Sequence, residues 1–273
     1  MILSELIPFL KEHEARPKKS LSQNFLVDPN ILRKIVETAD VHPGDAVLEI
    51  GPGPGALTTA LLNAGARVYA VEMDTLFANE LPRLQTPDER LQVFEADFLK
   101  FDLNLLPAPL KVVANLPYHI TAPILEKICA HSSRFTSLTL MVQKEVADRM
   151  AASAGSKQFG SLTVFLQFHA SIGRPFKVPP GCFYPRPKVD SAVIRLDFRK
   201  SPDVDPATFF PLVRQAFQQR RKMVTTSIQK LYPIEKIRAA LASFGANPLA
   251  RPEDLSLPEW VSLHDYLVSG ISR

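Results

Sequence analysis

The amino-acid sequence predicts an α/β fold in which a doubly wound, mainly parallel sheet occupies residues 1–200 and a small all-helical domain occupies residues 201–273. Three observations predict this arrangement. Short apolar runs alternate with helical patterns over the first part of the chain. A glycine-rich turn joins one of these runs, Val47–Ile50, to a helical pattern, as in the first βα unit of a doubly wound sheet. Beyond Lys200 the strand patterns stop, and apolar residues recur at helical spacing instead.

The predicted strands are apolar runs of four to eight residues. We place them at 46–50, 67–72, 91–96, 111–115, 138–143, 176–179 and 191–198. The last two flank a proline-rich loop, 179–187, and are interpreted as a hairpin at the edge of the sheet. Because ligands of such sheets bind outside the carboxyl ends of the parallel strands, we expect the functional residues there.

Helices are predicted at both ends of the chain. Residues 1–10 form a short amphipathic helix. In the C-terminal domain, six apolar residues recur at helical spacing and share one face, with basic and polar residues largely on the other: Val213, Ala216, Phe217, Val224, Ile228 and Leu231. A last helix is predicted over 257–268, around the single tryptophan, Trp260.

The composition limits the class of protein. With 273 residues, 46% of them hydrophobic, the chain suffices for one large or two smaller folded domains. No apolar run approaches the ~20 residues of a membrane span, and residues 1–10 lack the features of a signal peptide. Cys129 and Cys182 lie far apart without a histidine cluster, which argues against a zinc site or a disulfide scaffold. We therefore expect a cytoplasmic protein that uses no metal and does not bind a membrane.

Basic residues are concentrated in the C-terminal domain, although the formal net charge is only +4. Residues 214–238 contain seven lysines and arginines against one acid, Glu235. Such a cluster suits the phosphate backbone of a nucleic acid. The alternative is an ordinary solvated surface. The imbalance favours nucleic-acid binding.

Polar residues and a glycine-rich turn follow the predicted strands. The turn Gly51–Gly55 has the spacing G-x-G-x-G, not the G-x-G-x-x-G of dinucleotide binders, and alone is weak evidence for a site. Glu72 ends the next strand, where a carboxylate accepts both hydroxyls of a ribose. Asp97 follows the third, placed to accept from an adenine amine. Either acid alone is compatible with a solvated strand end, but together these features predict a site for S-adenosylmethionine.

The tetrad Asn115-Leu116-Pro117-Tyr118 follows the apolar run 112–114 and is the most informative stretch of the chain. An exocyclic base amine is a poor nucleophile because its lone pair is conjugated into the ring. The side-chain oxygen of Asn115 and a carbonyl beside Pro117 would hold the two N–H groups and free that lone pair, while Tyr118 stacks on the base. A strand-end turn is the alternative, since Asn and Pro are common turn residues.

Together with other segments, the tetrad resembles the bacterial KsgA/RsmA family of ribosomal RNA adenine dimethyltransferases. The resemblance runs from about Arg16 to Leu231 and is specific, because eight segments occur in order at plausible spacings. The matching segments are Gln23–Leu26, Glu49–Gly53, Val71–Asp74, Ala96–Asp97, Asn115–Tyr118, Gln143–Val146, Phe183–Ser191 and Ala216–Lys222. One departure is His119, where many members carry Asn, and we expect it to have a small effect on pocket shape.

The resemblance implies a class I methyltransferase fold and an S-adenosylmethionine-dependent 16S ribosomal RNA (adenine-N6,N6)-dimethyltransferase. The implied substrate is a pair of adjacent adenosines in the 3′-terminal hairpin loop of the small-subunit RNA, each methylated twice during ribosome biogenesis. The implied partner is a pre-mature small ribosomal subunit, bound by a monomer. Because the methyl group on the sulfonium is already activated, catalysis would depend on positioning, without a metal or a covalent intermediate.

The resemblance also implies roles for individual residues. It places Asn24 and Leu26 at the methionine end of the cofactor and Phe183 over the active site, opposite Tyr118 across the target adenine. From the residues alone, a phenylalanine in a proline-rich loop is more often buried packing. The expected catalytic set is Asn115, Pro117, Tyr118 and Phe183, the cofactor set is Asn24, Leu26, Gly51, Glu72, Asp97 and Asn115, and the RNA-binding set is Arg220, Arg221 and Lys222.

Other functions remain as alternatives. The resistance-type methyltransferase of 23S ribosomal RNA shares the tetrad and the cofactor site, but residues 218–222 and 183–191 favour the small-subunit enzyme. A non-catalytic ribosome assembly factor is disfavoured because the glycine turn, both acids and Asn115 are intact. A DNA adenine methyltransferase is disfavoured because no separate target-recognition domain is apparent, and an NAD-dependent oxidoreductase by the glycine spacing.

Overall fold

The computed structural model describes residues 2–17, 23–116, 120–219 and 221–269, and the chain divides into two compact units. The first unit comprises Met1–Ala147 and Gly173–Phe198, and the second comprises Asp148–Ile172 and Arg199–Arg273. The division expected after residue 200 lies two residues from the last junction. It differs for Asp148–Ile172, which the sequence analysis assigned to the first domain and which groups with the second unit.

The elements are numbered in chain order. The helices are α1 Leu3–Glu12, α2 Pro29–Thr38, α3 Ala56–Asn63, α4 Thr75–Glu80, α5 Thr121–Ala130, α6 Lys144–Met150, α7 Ser161–His169, α8 Pro206–Phe217, α9 Val224–Ser227, α10 Ile234–Ser243 and α11 Leu257–Ser269. The strands are β1 Phe25–Leu26, β2 Ala46–Ile50, β3 Arg67–Glu72, β4 Leu91–Glu95, β5 Leu110–Asn115, β6 Phe135–Gln143, β7 Ala170–Ile172, β8 Phe176–Val178, β9 Phe183–Tyr184 and β10 Ser191–Phe198.

The first unit is built around one large sheet. Within this unit the strand order is β4-β3-β2-β5-β6-β10, with β8 paired to β10. Neighbouring strands from β4 to β6 are parallel. β10 runs antiparallel to both β6 and β8, so the predicted hairpin around the proline-rich loop is present. The α/β fold and all seven predicted strands are confirmed.

The central strands determine where the functional edge of the sheet lies. Val47 of β2 and Val112 of β5 are fully buried, as expected for parallel strands that are covered on both faces. The chain leaves each of these strands at its carboxyl end, and parallel strands share that edge. Gly51 follows β2, Glu72 ends β3 and Asn115 ends β5, so the fold brings all three to the same edge.

A second, two-stranded sheet was not anticipated from the sequence. β1 pairs with β9 in antiparallel fashion, with Phe25 opposite Tyr184 and Leu26 opposite Phe183. The Val27 N–H extends this pairing by donating to the Cys182 carbonyl oxygen at 2.9 Å. The segment that carries Asn24 is therefore fixed to the proline-rich loop by its main chain.

The second unit is helical apart from β7. Trp260 and Phe209 are fully buried at the centre of its core. Phe159 and Phe168, from the segment Asp148–Ile172, pack in that same core. These large side chains explain why the segment belongs to the helical unit, although nothing in its local pattern separates it from the preceding residues.

The expectation that the six apolar residues between Val213 and Leu231 share one helical face is wrong. α8 ends at Phe217 and α9 begins at Val224, after Met223 adopts an extended conformation. Residues 218–222 are all polar or basic, so a helix through them would have no apolar side chain to bury. Leu231 lies beyond α9 and is 48% exposed, so it does not belong to the apolar face.

Candidate active site

A cavity of about 240 Å³ lies at the carboxyl edge of the parallel strands in the first unit. The turn after β2, the end of β3, the segment after β4 and the end of β5 all contribute to its walls. The cavity is lined by every residue of the expected cofactor set, namely Asn24, Leu26, Gly51, Glu72, Asp97 and Asn115. The structure thus brings these six residues together, while their roles stay predictions.

The turn between β2 and α3 leaves room for a ligand because its glycines lack side chains. Gly51, Gly53 and Gly55 have φ angles of +67°, +55° and +88°, a region in which a Cβ atom is strained. A Cβ on Gly55 would lie 2.4 Å from Leu84 Cδ1, and one on Gly53 would lie 3.3 Å from the Phe25 ring. Glycine therefore fits positions 53 and 55 without movement of the neighbours, and Gly51 and Gly53 line the cavity with bare backbone.

Glu72 connects the glycine turn to the end of β3. Its Oε2 accepts a hydrogen bond from the Gly53 N–H at 2.8 Å, and its Oε1 accepts from the Asp74 N–H at 2.7 Å. The side chain is only 7% exposed. Burial raises the pKa of the Glu72 carboxyl, and the two backbone hydrogen bonds oppose that rise. Glu72 thus holds the backbone of the turn as well as lining the cavity, a function that the sequence did not indicate.

Gln23 and Asp74 extend this network, and the sequence analysis assigned neither a role. Gln23 Nε2 donates to Asp74 Oδ2 at 3.1 Å, and Asp74 Oδ1 accepts from the Leu76 N–H at the start of α4. The main-chain N–H of Asp74 in turn donates to Glu72. Both residues lie in segments that carry the family resemblance, which was the available signal. The network holds Gln23, the residue before Asn24, against the end of β3.

Glu49 is a buried acid that the sequence analysis did not single out. It lies in β2, lines the cavity and is 1% exposed. Its Oε2 atom has no hydrogen-bond partner among the described residues. Burial raises the pKa of Glu49 to about 8; Thr58 opposes the rise in part, and the Glu72 carboxylate adds to it. A charged residue within the apolar run Val47–Ile50 was the signal that could have identified it.

Replacing Glu49 with glutamine is expected to remove a pH-dependent loss of stability. The pKa of Glu49 is about 8 in the folded protein against an ordinary value of 4.5 in the unfolded chain, so between these values only the unfolded chain releases the proton. The contribution of Glu49 to the free energy of unfolding is therefore highest below pH 4.5 and falls until about pH 8. Each unit of pKa shift corresponds to roughly 1.4 kcal/mol, so the fall amounts to several kcal/mol. Thermal melts from pH 5 to 9 compare the wild-type protein, Glu49→Gln and the exposed-acid control Glu95→Gln. Parallel pH profiles for wild-type protein and Glu49→Gln would contradict this expectation.

Asn115 is oriented by the main chain of the N-terminal segment. Its Nδ2 donates to the Asn24 carbonyl oxygen at 3.2 Å. A carbonyl oxygen only accepts, so this contact fixes which side of the amide carries nitrogen and leaves Oδ1 as its acceptor. An oriented acceptor at the end of β5 is what the predicted chemistry requires of this residue.

The remaining expected site residues have different locations. Pro117, Tyr118 and Arg220 lie outside the described residues, as does His119. Phe183 is 3% exposed, packs in the core cluster that contains Leu26 and does not line the cavity. The structure therefore agrees with the packing alternative for Phe183, and its role in stacking on the base stays a prediction.

None of the helices over residues 2–17, 23–116, 120–219 and 221–269 is long and apolar enough to cross a membrane. Over the same residues, no group of three or more His, Cys, Asp or Glu side chains is placed to hold a metal ion. Cys129 and Cys182 are both buried and unpaired with each other.

Comparison with known proteins gives a consistent result over nearly the whole chain. A family model described as Ribosomal RNA adenine dimethylase matches residues 14–268. The Ribosomal RNA small subunit methyltransferase A of Protochlamydia amoebophila is 48% identical over 275 residues, which cover 98% of this chain and 97% of that protein. The protein of the same name from Chlamydia muridarum is 45% identical and covers 96% of both chains.

Solved structures show the same similarity. The 23S rRNA methyltransferase ErmE has 30% identity and a TM-score of 0.73, covering 89% of this chain and 99% of its own. A dimethyladenosine transferase from Plasmodium falciparum has 26% identity and a TM-score of 0.78, covering 91% of this chain and 99% of its own. Both therefore share the fold of this chain over most of its length.

Proposed function

The chain belongs to the ribosomal RNA adenine dimethylase family, and from this premise we propose that it dimethylates the N6 amines of two adjacent adenosines in the 3′-terminal hairpin loop of 16S ribosomal RNA. One observation carries the proposal. Asn115, the first residue of the tetrad, lines the same cavity as Gly51 and Glu72. A base amine held by the tetrad would thus lie beside a cofactor held by the glycine turn.

The cavity suits S-adenosylmethionine. Bare glycine backbone, the buried carboxyl groups of Glu49 and Glu72, and apolar side chains such as Leu57 match a ligand that combines a nucleoside with a cationic amino-acid portion. Glu72 would accept from the ribose hydroxyls, and Asp97 from the adenine amine. When bound, S-adenosylmethionine supplies a methyl group that is already activated by the sulfonium.

The protein's own contribution is to position the target amine. Asn115 Oδ1 would accept a hydrogen bond from the amine, with a carbonyl beside Pro117 as the second acceptor. Two acceptors hold the nitrogen in a shape that frees its lone pair. The remaining contribution to catalysis is the in-line positioning of the amine and the methyl group. The amine proton leaves to solvent after transfer, so no residue is assigned as a strong general base.

The small-subunit RNA is favoured over the large-subunit RNA as the substrate. Relatives named as small subunit methyltransferases are 48% and 45% identical to this chain, whereas the 23S rRNA methyltransferase is 30% identical. We also propose that the protein is a cytoplasmic monomer and that its substrate is a pre-mature small ribosomal subunit. The exposed basic residues of the second unit, which include Arg221 and Lys222, would contact its RNA.

Primer extension tests the proposal directly. The protein is incubated with S-adenosylmethionine and unmethylated small subunits, and the 16S RNA is then copied by reverse transcriptase, which stops at dimethyladenosine. We expect stops at two adjacent adenosines near the 3′ end. Stops that appear only when 23S RNA is offered would support the resistance-type alternative. Subunit binding without any methyl transfer would support the assembly factor.

Replacing Arg221 and Lys222 together with glutamine is expected to weaken subunit binding and flatten its salt dependence. Both side chains are exposed, and neither forms an ion pair with another described residue. If each neutralises one phosphate, the slope of log K against log salt should become about two units shallower. Filter binding across a salt series measures this slope, and including Arg220 should flatten it further.

The matched control is Arg238→Gln, since Arg238 is exposed in the same unit but already pairs with Glu235 at 3.2 Å. It should change the salt slope little. An unchanged slope for the double variant, with a lower melting temperature, would assign Arg221 and Lys222 a structural role and remove this part of the RNA interface.

A further inference from the structure

Lys127 of α5 makes an unusual set of contacts in the first unit. Its Nζ donates to three main-chain carbonyl oxygens, those of Phe98 at 2.7 Å, Leu99 at 3.1 Å and Phe101 at 2.6 Å. A lysine ammonium has three N–H donors, so these contacts use all of them. The side chain is directed at the backbone of one loop and forms no ion pair with another described residue.

The loop that Lys127 holds forms one wall of the cofactor cavity. Asp97, Phe98 and Leu99 all line that cavity. Asp97 Oδ1 accepts from the Leu99 N–H at 2.9 Å, so the conformation of the Asp97 side chain depends on where Leu99 lies. Because the Leu99 carbonyl is bound by Lys127, the ammonium and the Asp97 carboxylate fix the same short segment from its two sides.

The surroundings of Lys127 add to the strength of these contacts. The lysine is partly buried, and its Nζ lies 5.1 Å from the centroid of the Phe98 ring. Burial lowers the pKa of Lys127, while the negative charges of Asp97 and Asp102 raise it. Hydrogen bonds from a cation are about twice as strong as those between neutral groups, and a cation that holds three carbonyls leaves the loop little freedom.

We propose that Lys127 is a positioning residue for cofactor recognition, which fixes the loop 97–101 so that Asp97 selects an adenine base. The inference rests on the proposed function, because it takes S-adenosylmethionine as the ligand of the cavity. Asp97 would accept from the 6-amino group of adenine. A hypoxanthine base carries an oxygen there, which a carboxylate repels. Selection between these bases therefore depends on the position of one carboxylate, which Lys127 sets from the neighbouring helix.

Lys127→Met retains an unbranched side chain that is one atom shorter, and it removes the charge and all three donors. Calorimetry compares its binding of S-adenosylhomocysteine with that of S-inosylhomocysteine, which differs only in the base. Loss of one hydrogen bond to a charged group corresponds to a factor of about 10–100 in affinity. We expect Lys127→Met to lose about that factor for the adenine ligand and less than about threefold for the hypoxanthine ligand, so that base discrimination collapses.

Three controls make the result specific. Lys100→Met changes an exposed lysine of the same loop and should leave both affinities unchanged. Lys127→Arg retains the charge and two or more donors, and it should recover part of the discrimination. In an Asp97→Ala background, Lys127→Met should cause no further loss of discrimination, because the group that it positions is gone.

The outcomes separate this inference from the proposed function. Wild-type protein that binds neither ligand would overturn the proposed function itself. Wild-type protein that prefers the adenine ligand, with Lys127→Met retaining that preference, would overturn the role of Lys127 alone. Equal weakening of both ligands together with a lower melting temperature would identify Lys127 as a packing residue. If Lys127→Met does not fold, Lys127→Arg and Lys127→Gln take its place. If both of these variants prefer the adenine ligand as strongly as the wild-type protein does, the role of Lys127 is overturned.

Discussion

Asn115→Ala is expected to lower the rate of methyl transfer by a factor of about 10²–10³, the usual effect of removing one preorganised polar contact made in the transition state. The residue ends β5 at the cavity, and its amide is held by the Asn24 carbonyl. Affinity for S-adenosylmethionine should change only a few-fold, since the glycine turn and Glu72 remain in place. Single-turnover transfer from labelled cofactor to unmethylated subunits measures the rate, and calorimetry measures the affinity.

Asn115→Asp separates the two contacts of this side chain. Aspartate retains an acceptor for the amine but has no donor for the Asn24 carbonyl, and its carboxylate would face that carbonyl at about the same distance. If orientation by Asn24 matters, the aspartate variant should also be slow, although its acceptor is intact. Asn104→Ala, an exposed asparagine away from the cavity, serves as the control. Transfer by Asn115→Ala within threefold of the wild-type rate would remove Asn115 from the catalytic set.

The parallel sheet was predictable because its strands carry their own signal. β2 and β5 are buried on both faces, so each is mainly apolar apart from Glu49 in β2 and Lys111 near the start of β5, and a glycine or a polar residue stands at its carboxyl end. The same property located four of the six residues of the cofactor set, Gly51, Glu72, Asp97 and Asn115, because residues that follow such runs must emerge at one edge. Asn24 and Leu26 were assigned by the family resemblance alone, and they line the same cavity.

The features that the sequence did not reveal involve main-chain partners or distant packing. β1 and β9 have two residues each, too few to show a period, and their pairing joins segments more than 150 positions apart. Lys127 binds carbonyl oxygens, which every residue possesses, so no residue pattern identifies its partners. Phe183 is 3% exposed, in agreement with the packing alternative, and the stacking role that the resemblance implies stays a prediction.

In the second unit, helical spacing of apolar residues predicted a helix across a segment that has no apolar side chain to bury. Val213 and Val224 have compatible positions on one continuous helix, yet the five consecutive positions 218–222 between them offer no apolar side chain. Tertiary packing stabilises most helices more than local propensity does. The chain therefore turns at this point and exposes Arg221 and Lys222 outside a regular helix.

Glu72→Ala is expected to weaken S-adenosylmethionine binding at least 100-fold. A ribose loses two hydrogen bonds to a charged acceptor, each worth about 1.5–3 kcal/mol, and every 1.4 kcal/mol is about a factor of ten in affinity. The structure adds a second reason, because the Gly53 and Asp74 N–H groups also lose their acceptor. The glycine turn would then be free to shift from the position that faces the cavity.

The register of the sheet provides a matched control for Glu72→Ala. Glu95 lies directly opposite Glu72 on β4, but it is exposed and does not line the cavity. Glu95→Ala removes the same charge from the same level of the sheet, so it should leave the dissociation constant unchanged. Glu72→Gln retains one acceptor oxygen and places an NH₂ group against a backbone donor, so its affinity for S-adenosylmethionine should be nearly as low as that of Glu72→Ala.

Calorimetry on all three variants measures the dissociation constant for S-adenosylmethionine, and thermal melts establish that each variant is folded. A folded Glu72→Ala protein with wild-type affinity would show that the ribose is held elsewhere, and the buried carboxylate would then serve only the turn.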